Sequence, residues 1–134
     1  MNEDLMTILY RASADFRSLQ GLDLRFKYTL NGLFHLTDSL IRNFAEAMFI
    51  LSTTADPQVL MSAMKHYGEN IETMSFVLKG YLIDARRENL REWPSISVYR
   101  QTSSAFASRM LRESSNPLLA GYVEQAQRIA NIDP

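Results

Sequence analysis

The feature that most limits how this chain can fold is an apolar seam between residues 60 and 85. Leu60, Met64, Tyr67, Ile71, Met74, Leu78, Tyr81 and Ala85 follow one another at steps of four and three. That spacing stacks side chains along one face of an α-helix and holds the register over several heptads. A mirror seam precedes it, made of Phe26, Leu30, Leu33, Leu40, Phe44, Ala47 and Leu51 and interrupted by Thr37. Between the two, Thr53-Thr54-Ala55-Asp56-Pro57 has room for a turn and nothing more. The middle of the chain is therefore expected to form a long antiparallel helical hairpin.

Caps and breakers divide the rest. A first helix is expected over 4–20, with Leu5, Leu9, Ala12, Phe16 and Leu19 in one stripe and Gly21 as its stop. The hairpin helices are expected over 23–52 and 57–91. Asn31-Gly32 is a weak point in the former, and Asp56-Pro57 is a strong start signal for the latter. Trp93-Pro94-Ser95 ends the third helix, because proline disfavours a helical residue before it. Ser95 is then placed to cap a fourth helix over 96–113, whose inner face is Tyr99, Phe106 and Met110. Ser114-Ser115-Asn116-Pro117 opens a fifth over 117–132, with Leu118, Tyr122, Val123, Ala126 and Ile129 facing inward. Period-two alternation is absent outside these segments, so no strand is expected. At about 1.5 Å per residue the two hairpin helices are roughly 45–50 Å long, about twice the others. The expected architecture is an all-α, elongated four- to five-helix bundle built on that hairpin, as a single domain.

Composition then narrows the function. With 134 residues, 46% of them apolar, the chain can bury a sizeable core. It has no cysteine, which removes disulfides, thiolate metal sites and cysteine nucleophiles together and suits a reducing compartment. A formal net charge of −1 gives no electrostatic reason to seek nucleic acid or an anionic membrane. The start, Met1-Asn2-Glu3-Asp4, is acidic where a secretory signal is basic. The most apolar run, Ala45 to Leu51, contains Glu46 and falls far short of the roughly 20 residues a spanning helix needs. A cytoplasmic location with no membrane partner is expected.

The residue types that carry chemistry do not converge. His35 precedes Asp38 by three residues and His66 precedes Glu69 by three, a reversal of the Glu-x-x-His pattern of di-iron bundles. In a hairpin turning near residue 54, however, His66 stands level with Asn43, about 12 Å of helix away from His35. Two ligands of one metal cannot be that far apart. Leu78-Lys79-Gly80 resembles a fragment of the histidine-phosphotransfer signature, but Phe76 and Val77 precede it and no phosphorylatable histidine is present. No serine lies in Gly-x-Ser-x-Gly, and the five glycines are dispersed rather than gathered into a phosphate loop. Glu69 and Glu72 read as solvated surface. No catalytic residue, metal ligand or cofactor is assigned, and an enzyme is not expected.

Two surface features remain. Arg86, Arg87 and Arg91 close the third helix, followed by Trp93, and Arg100, Arg109 and Arg112 lie on the fourth. Arg86, Arg87, Arg91 and Trp93 are candidates for contact with a partner. Six arginines against four acids between residues 84 and 113 is a small surplus for nucleic acid, and helix-end basic residues also complement the dipole. The second feature is Phe76 and Ile83, seven residues apart on the face opposite the seam, among Lys65, Glu69, Glu72 and Lys79. They are candidates for self-association. On helix two, Phe34, Ile41, Ala45 and Phe49 form an extra stripe that the other helices are expected to cover. The expected function is a non-catalytic protein–protein interaction module: a small adaptor, chaperone or regulator that forms a homodimer or larger homo-oligomer and binds another protein. The alternative is a nucleic-acid-associated regulator using the Arg86–Arg112 region.

Overall fold

The computed structural model describes residues 2–20, 31–87, 89 and 94–132; the side chains of residues 2–4, 18–20, 31–37 and 84 lie outside that description. Five α-helices follow in order: α1 (Asn2–Gln20), α2 (Asn31–Thr53), α3 (Pro57–Arg87), α4 (Pro94–Arg112) and α5 (Val123–Ala130), the last preceded by a 3₁₀ turn at Ala120–Tyr122. No strand occurs among the described residues. The protein is an all-α bundle, and the bent 31-residue α3 is its longest helix.

The two seams face the interior as their spacing requires. Leu60, Met64, Ile71, Met74, Leu78 and Ala85 of α3 are buried, with Tyr67 and Tyr81 half-buried at its edge. On α2, Leu40, Phe44, Ala47 and Leu51 are buried, whereas the expected seam positions Phe26, Leu30 and Leu33, and the break at Thr37, fall outside the described residues or side chains. The α2–α3 turn is capped as the sequence implies: the Gln58 backbone N–H donates to Asp56 Oδ1 at 2.9 Å, and Pro57 takes the first helical position.

Side-chain contacts set the direction of the other helices. Phe16 meets Phe44 edge-on, with centroids 6.4 Å apart, while Met6 borders a shallow pocket with Asp56 and Val59 near the hairpin turn. Hence α1 runs antiparallel to α2 and lies against both legs of the hairpin. The Ser95 hydroxyl at the start of α4 donates to Asp38 Oδ1 near the start of α2, so these two helices run parallel. Their packing is the most extensive among the described helices, in keeping with the small side chains buried on both, among them Ala45, Ser103 and Ala107. The hairpin legs α2 and α3 approach each other more sparsely and are bridged by α1 on one side.

The expected start of the second helix at residue 23 lies outside the described residues, other ends shift by one or two residues, and three boundaries depart for an identifiable local reason. Helix α3 stops at Arg87 rather than 91, and Asn89 has a left-handed φ of 57° with its N–H on the Arg86 carbonyl, a conformation asparagine tolerates better than most residues. Helix α4 starts at Pro94, a favoured first helical position, so Ser95 lies buried within the first turn and caps nothing. Helix α5 starts six residues late. Asn116 Oδ1 accepts the Leu118 N–H and the Asn116 carbonyl accepts those of Leu119 and Ala120, which winds residues 116–120 into a turn before the helix begins. In consequence Leu118 is exposed instead of inward, while Ala126 and Ile129 are fully buried as expected. The extra α2 stripe divides: Ile41 and Ala45 are buried, but Phe49 is 58% exposed, and the Phe34 side chain is outside the description.

Candidate functional site

The seam that turns α3 inward leaves an outer face of Lys65, Glu69, Glu72, Phe76, Lys79, Gly80, Ile83 and Arg87. Positions 72, 76, 79, 83 and 87 succeed one another at steps of four and three, so they form a single stripe about 23 Å long. Phe76 is 76% exposed, more than any other large apolar side chain among the described residues, and Ile83 is 39% exposed. Between Phe76 and Ile83 the stripe carries Lys79 and Gly80. A Cβ placed on Gly80 would meet no atom within 4 Å, so the helix backbone there faces open space.

Helix α5 borders the N-terminal half of this stripe. Arg128 Nε donates to Glu72 Oε1 at 2.5 Å and Gln125 Nε2 donates to Glu72 Oε2 at 2.9 Å. Arg128 Nη1 also lies 3.4 Å from Glu124 Oε1 of its own helix. The Arg128 hydrogen bond, then that of Gln125, holds the Glu72 carboxyl below the usual carboxylate range, against the opposing effect of burial. At Gly68 a Cβ would come within 2.7 Å of Gln125 Oε1, so the Gln125 amide lies directly over the glycine. Glu72 is therefore the polar link from α3 to α5, a role its sequence setting does not signal, while buried Ala126 and Ile129 pack α5 into the core. Where α5 ends, Arg128 and Asn131 close one side of a groove of about 380 Å³ whose floor and far wall are Ser75, Phe76, Gly80 and Ile83.

Beneath the groove the polar groups are committed to structure. The Ser75 hydroxyl donates to the Ile71 carbonyl at 3.0 Å, so across the 2.8 Å contact with Tyr99 the phenol is the donor. Tyr99 is fully buried, and burial pushes its phenol up to about 12 against the lowering effect of the Ser75 and Ser103 hydroxyls. A neutral, buried phenol locked between α3 and α4 offers no acid–base chemistry at neutral pH.

The arginines differ in setting. Arg86 and Arg87 are exposed on the last turn of α3, while Arg91 and Trp93 lie outside the described residues. On α4, Arg100 is half-buried and Arg112 exposed, but Arg109 is only 8% exposed. Its Nε and Nη2 both donate to Glu113 Oε1, at 3.3 and 3.2 Å, so its charge is spent on a local pair. His66 is exposed and stands edge-on to Tyr67, with ring centroids 6.4 Å apart, and the His35 side chain is outside the description. Among the described residues no three His, Asp or Glu side chains are grouped to hold a metal ion. No helix of the described residues is long and apolar enough to cross a membrane. Set beside known proteins, the chain matches no family model, no curated protein and no solved structure.

Proposed function

We propose that this protein is a non-catalytic interaction module, an adaptor, chaperone or regulator, that works through the outer face of α3. The observation that carries the reading is the exposure of Phe76 beside Ile83 on a face otherwise made of Lys, Glu and Arg. A helix kept soluble by charge has no need of a phenylalanine there. Large aromatics that anchor an interface bury most of their area in the partner. The absence of cysteine fits a cytosolic setting for such a module.

Capture from native lysate with the wild-type chain and with a Phe76→Glu/Ile83→Lys variant tests it. A protein retained by the wild type and lost with the variant is the expected result. Identical capture by both overturns the assignment of this face. Retention of DNA or RNA instead, falling steeply with salt as counterion release requires, would replace the reading with the arginine-based one.

A further inference from the structure

The stripe on α3 is complementary to itself in one orientation. Its N-terminal part carries Glu69 and Glu72, its centre carries Phe76, Lys79, Gly80 and Ile83, and its C-terminal part carries Arg86 and Arg87. We propose that the outer face of α3 pairs with the same face of a second copy of this chain, antiparallel, about a twofold axis beside Lys79 and Gly80. The proposal rests on the reading that this face is the interaction surface, and it names the occupant.

In that register residues whose numbers sum to 159 face each other across the axis. Phe76 packs on Ile83 of the second copy, twice, so both apolar side chains leave water together. Glu72 meets Arg87 of the second copy, also twice, and a carboxylate already holding Arg128 and Gln125 retains lone pairs for a further donor. Lys79 lies over Gly80 of the second copy, where the open space above the glycine admits its stem and lets the two backbones draw close. Other arrangements lose one or more of these matches. A parallel pair sets Glu72 on Glu72 and Arg87 on Arg87. An antiparallel pair centred on Phe76 sets Ile83 against Glu69. One centred on Ile83 sets Lys79 against Arg87. Like charges opposed in the parallel and Ile83-centred pairs, and an apolar side chain set against a carboxylate in the Phe76-centred one, disfavour the wrong orientations as the unlike pairs favour the right one.

The contact is small. In this register the two α3 faces overlap from Glu72 to Arg87, about 23 Å, and a helix roughly 10 Å wide gives on the order of 230 Å² a side, under a third of the ~800 Å² of a standard interface. The pair is therefore weak and exchangeable. It forms at micromolar concentrations or above and releases the face to a stronger partner.

Because the chain has no cysteine, single-cysteine variants report the geometry without background. Gly80→Cys places the thiol beside the axis, whereas Glu69→Cys places the two thiols about 31 Å apart along the helices in the antiparallel pair but side by side in a parallel one. The full-length variants are treated with a short bismaleimide across a dilution series. The expected result is a concentration-dependent covalent dimer for Gly80→Cys and none for Glu69→Cys. Efficient cross-linking of Glu69→Cys overturns the orientation, and absence of any Gly80→Cys dimer overturns the pairing. Gly80→Lys supplies the second arm. Lysine is a better helix former than glycine and nothing surrounds the site, so the fold is kept, yet the new ammonium faces Lys79 of the second copy. Loss of self-association with helix content intact supports the proposal, and self-association equal to wild type overturns it. If the chain stays monomeric while Phe76→Glu/Ile83→Lys still abolishes capture from lysate, the self-pairing fails and the interaction face stands. If neither assay responds, both fail.

Discussion

Glu72 is the residue through which α3 holds the polar side of α5. It accepts hydrogen bonds from Gln125 and Arg128, residues 53 and 56 positions away, and no other described side chain ties α5 to α3 by an ion pair. Its carboxyl is held below the ordinary value of 4.5, so the sign of its pH dependence is fixed. A depressed folded-state pKa contributes stability that is present above the ordinary value and lost as pH falls through the folded one. Glu72→Gln is therefore expected to lower the urea midpoint at neutral pH. The difference from wild type should shrink toward zero well below pH 4.5, where the wild-type carboxyl is itself protonated. A variant whose deficit is the same at every pH would show that the charge plays no part. Read from the sequence, Glu72 is one more acid on a solvated helix face, because a partner that far along the chain leaves no local pattern. Phe76 and Ile83, by contrast, were legible as outward-facing, because helical spacing alone separates them from the seam.

At the scale of elements, period and punctuation located all five helices and most of the buried faces. The α3 seam is the clearest case, since side chains at alternating four and three steps have only one way to stay together. What the pattern missed lies at the ends, where a hydrogen bond to a distant residue or a left-handed turn outweighs a local signal. Ser95 reads as a cap but turns to Asp38 of α2, and Asn116-Pro117 reads as a helix start but folds back on itself as a turn. Asn89 ends α3 early through its own backbone conformation. Where the local signal is itself the mechanism, as at Asp56, reading and structure coincide. Asp56→Ala removes the acceptor of the Gln58 N–H and is expected to cost about 0.5–2 kcal/mol without preventing folding. Chemical denaturation measures it directly, and an unchanged midpoint would mean that this bond adds nothing to the start of α3.

For the whole molecule, the arrangement has a division of labour. The inner seams of α2 and α3 are closed by α1, α4 and α5, and the small side chains buried on α4 let it sit close to α2. Among the described residues, α5 covers the outer face of α3 at Glu72, and beyond that point the face stays open with its largest apolar side chain in solvent. The central claim is that this open face is for contact rather than for the core. Sedimentation and circular dichroism of Phe76→Glu/Ile83→Lys beside the wild type test it most directly. The expected result is a variant as helical and as stable as the wild type that no longer self-associates at concentrations where the wild type does. A variant that loses its helical signal would place both side chains in the core and contradict the claim. So would one that self-associates as readily as the wild type.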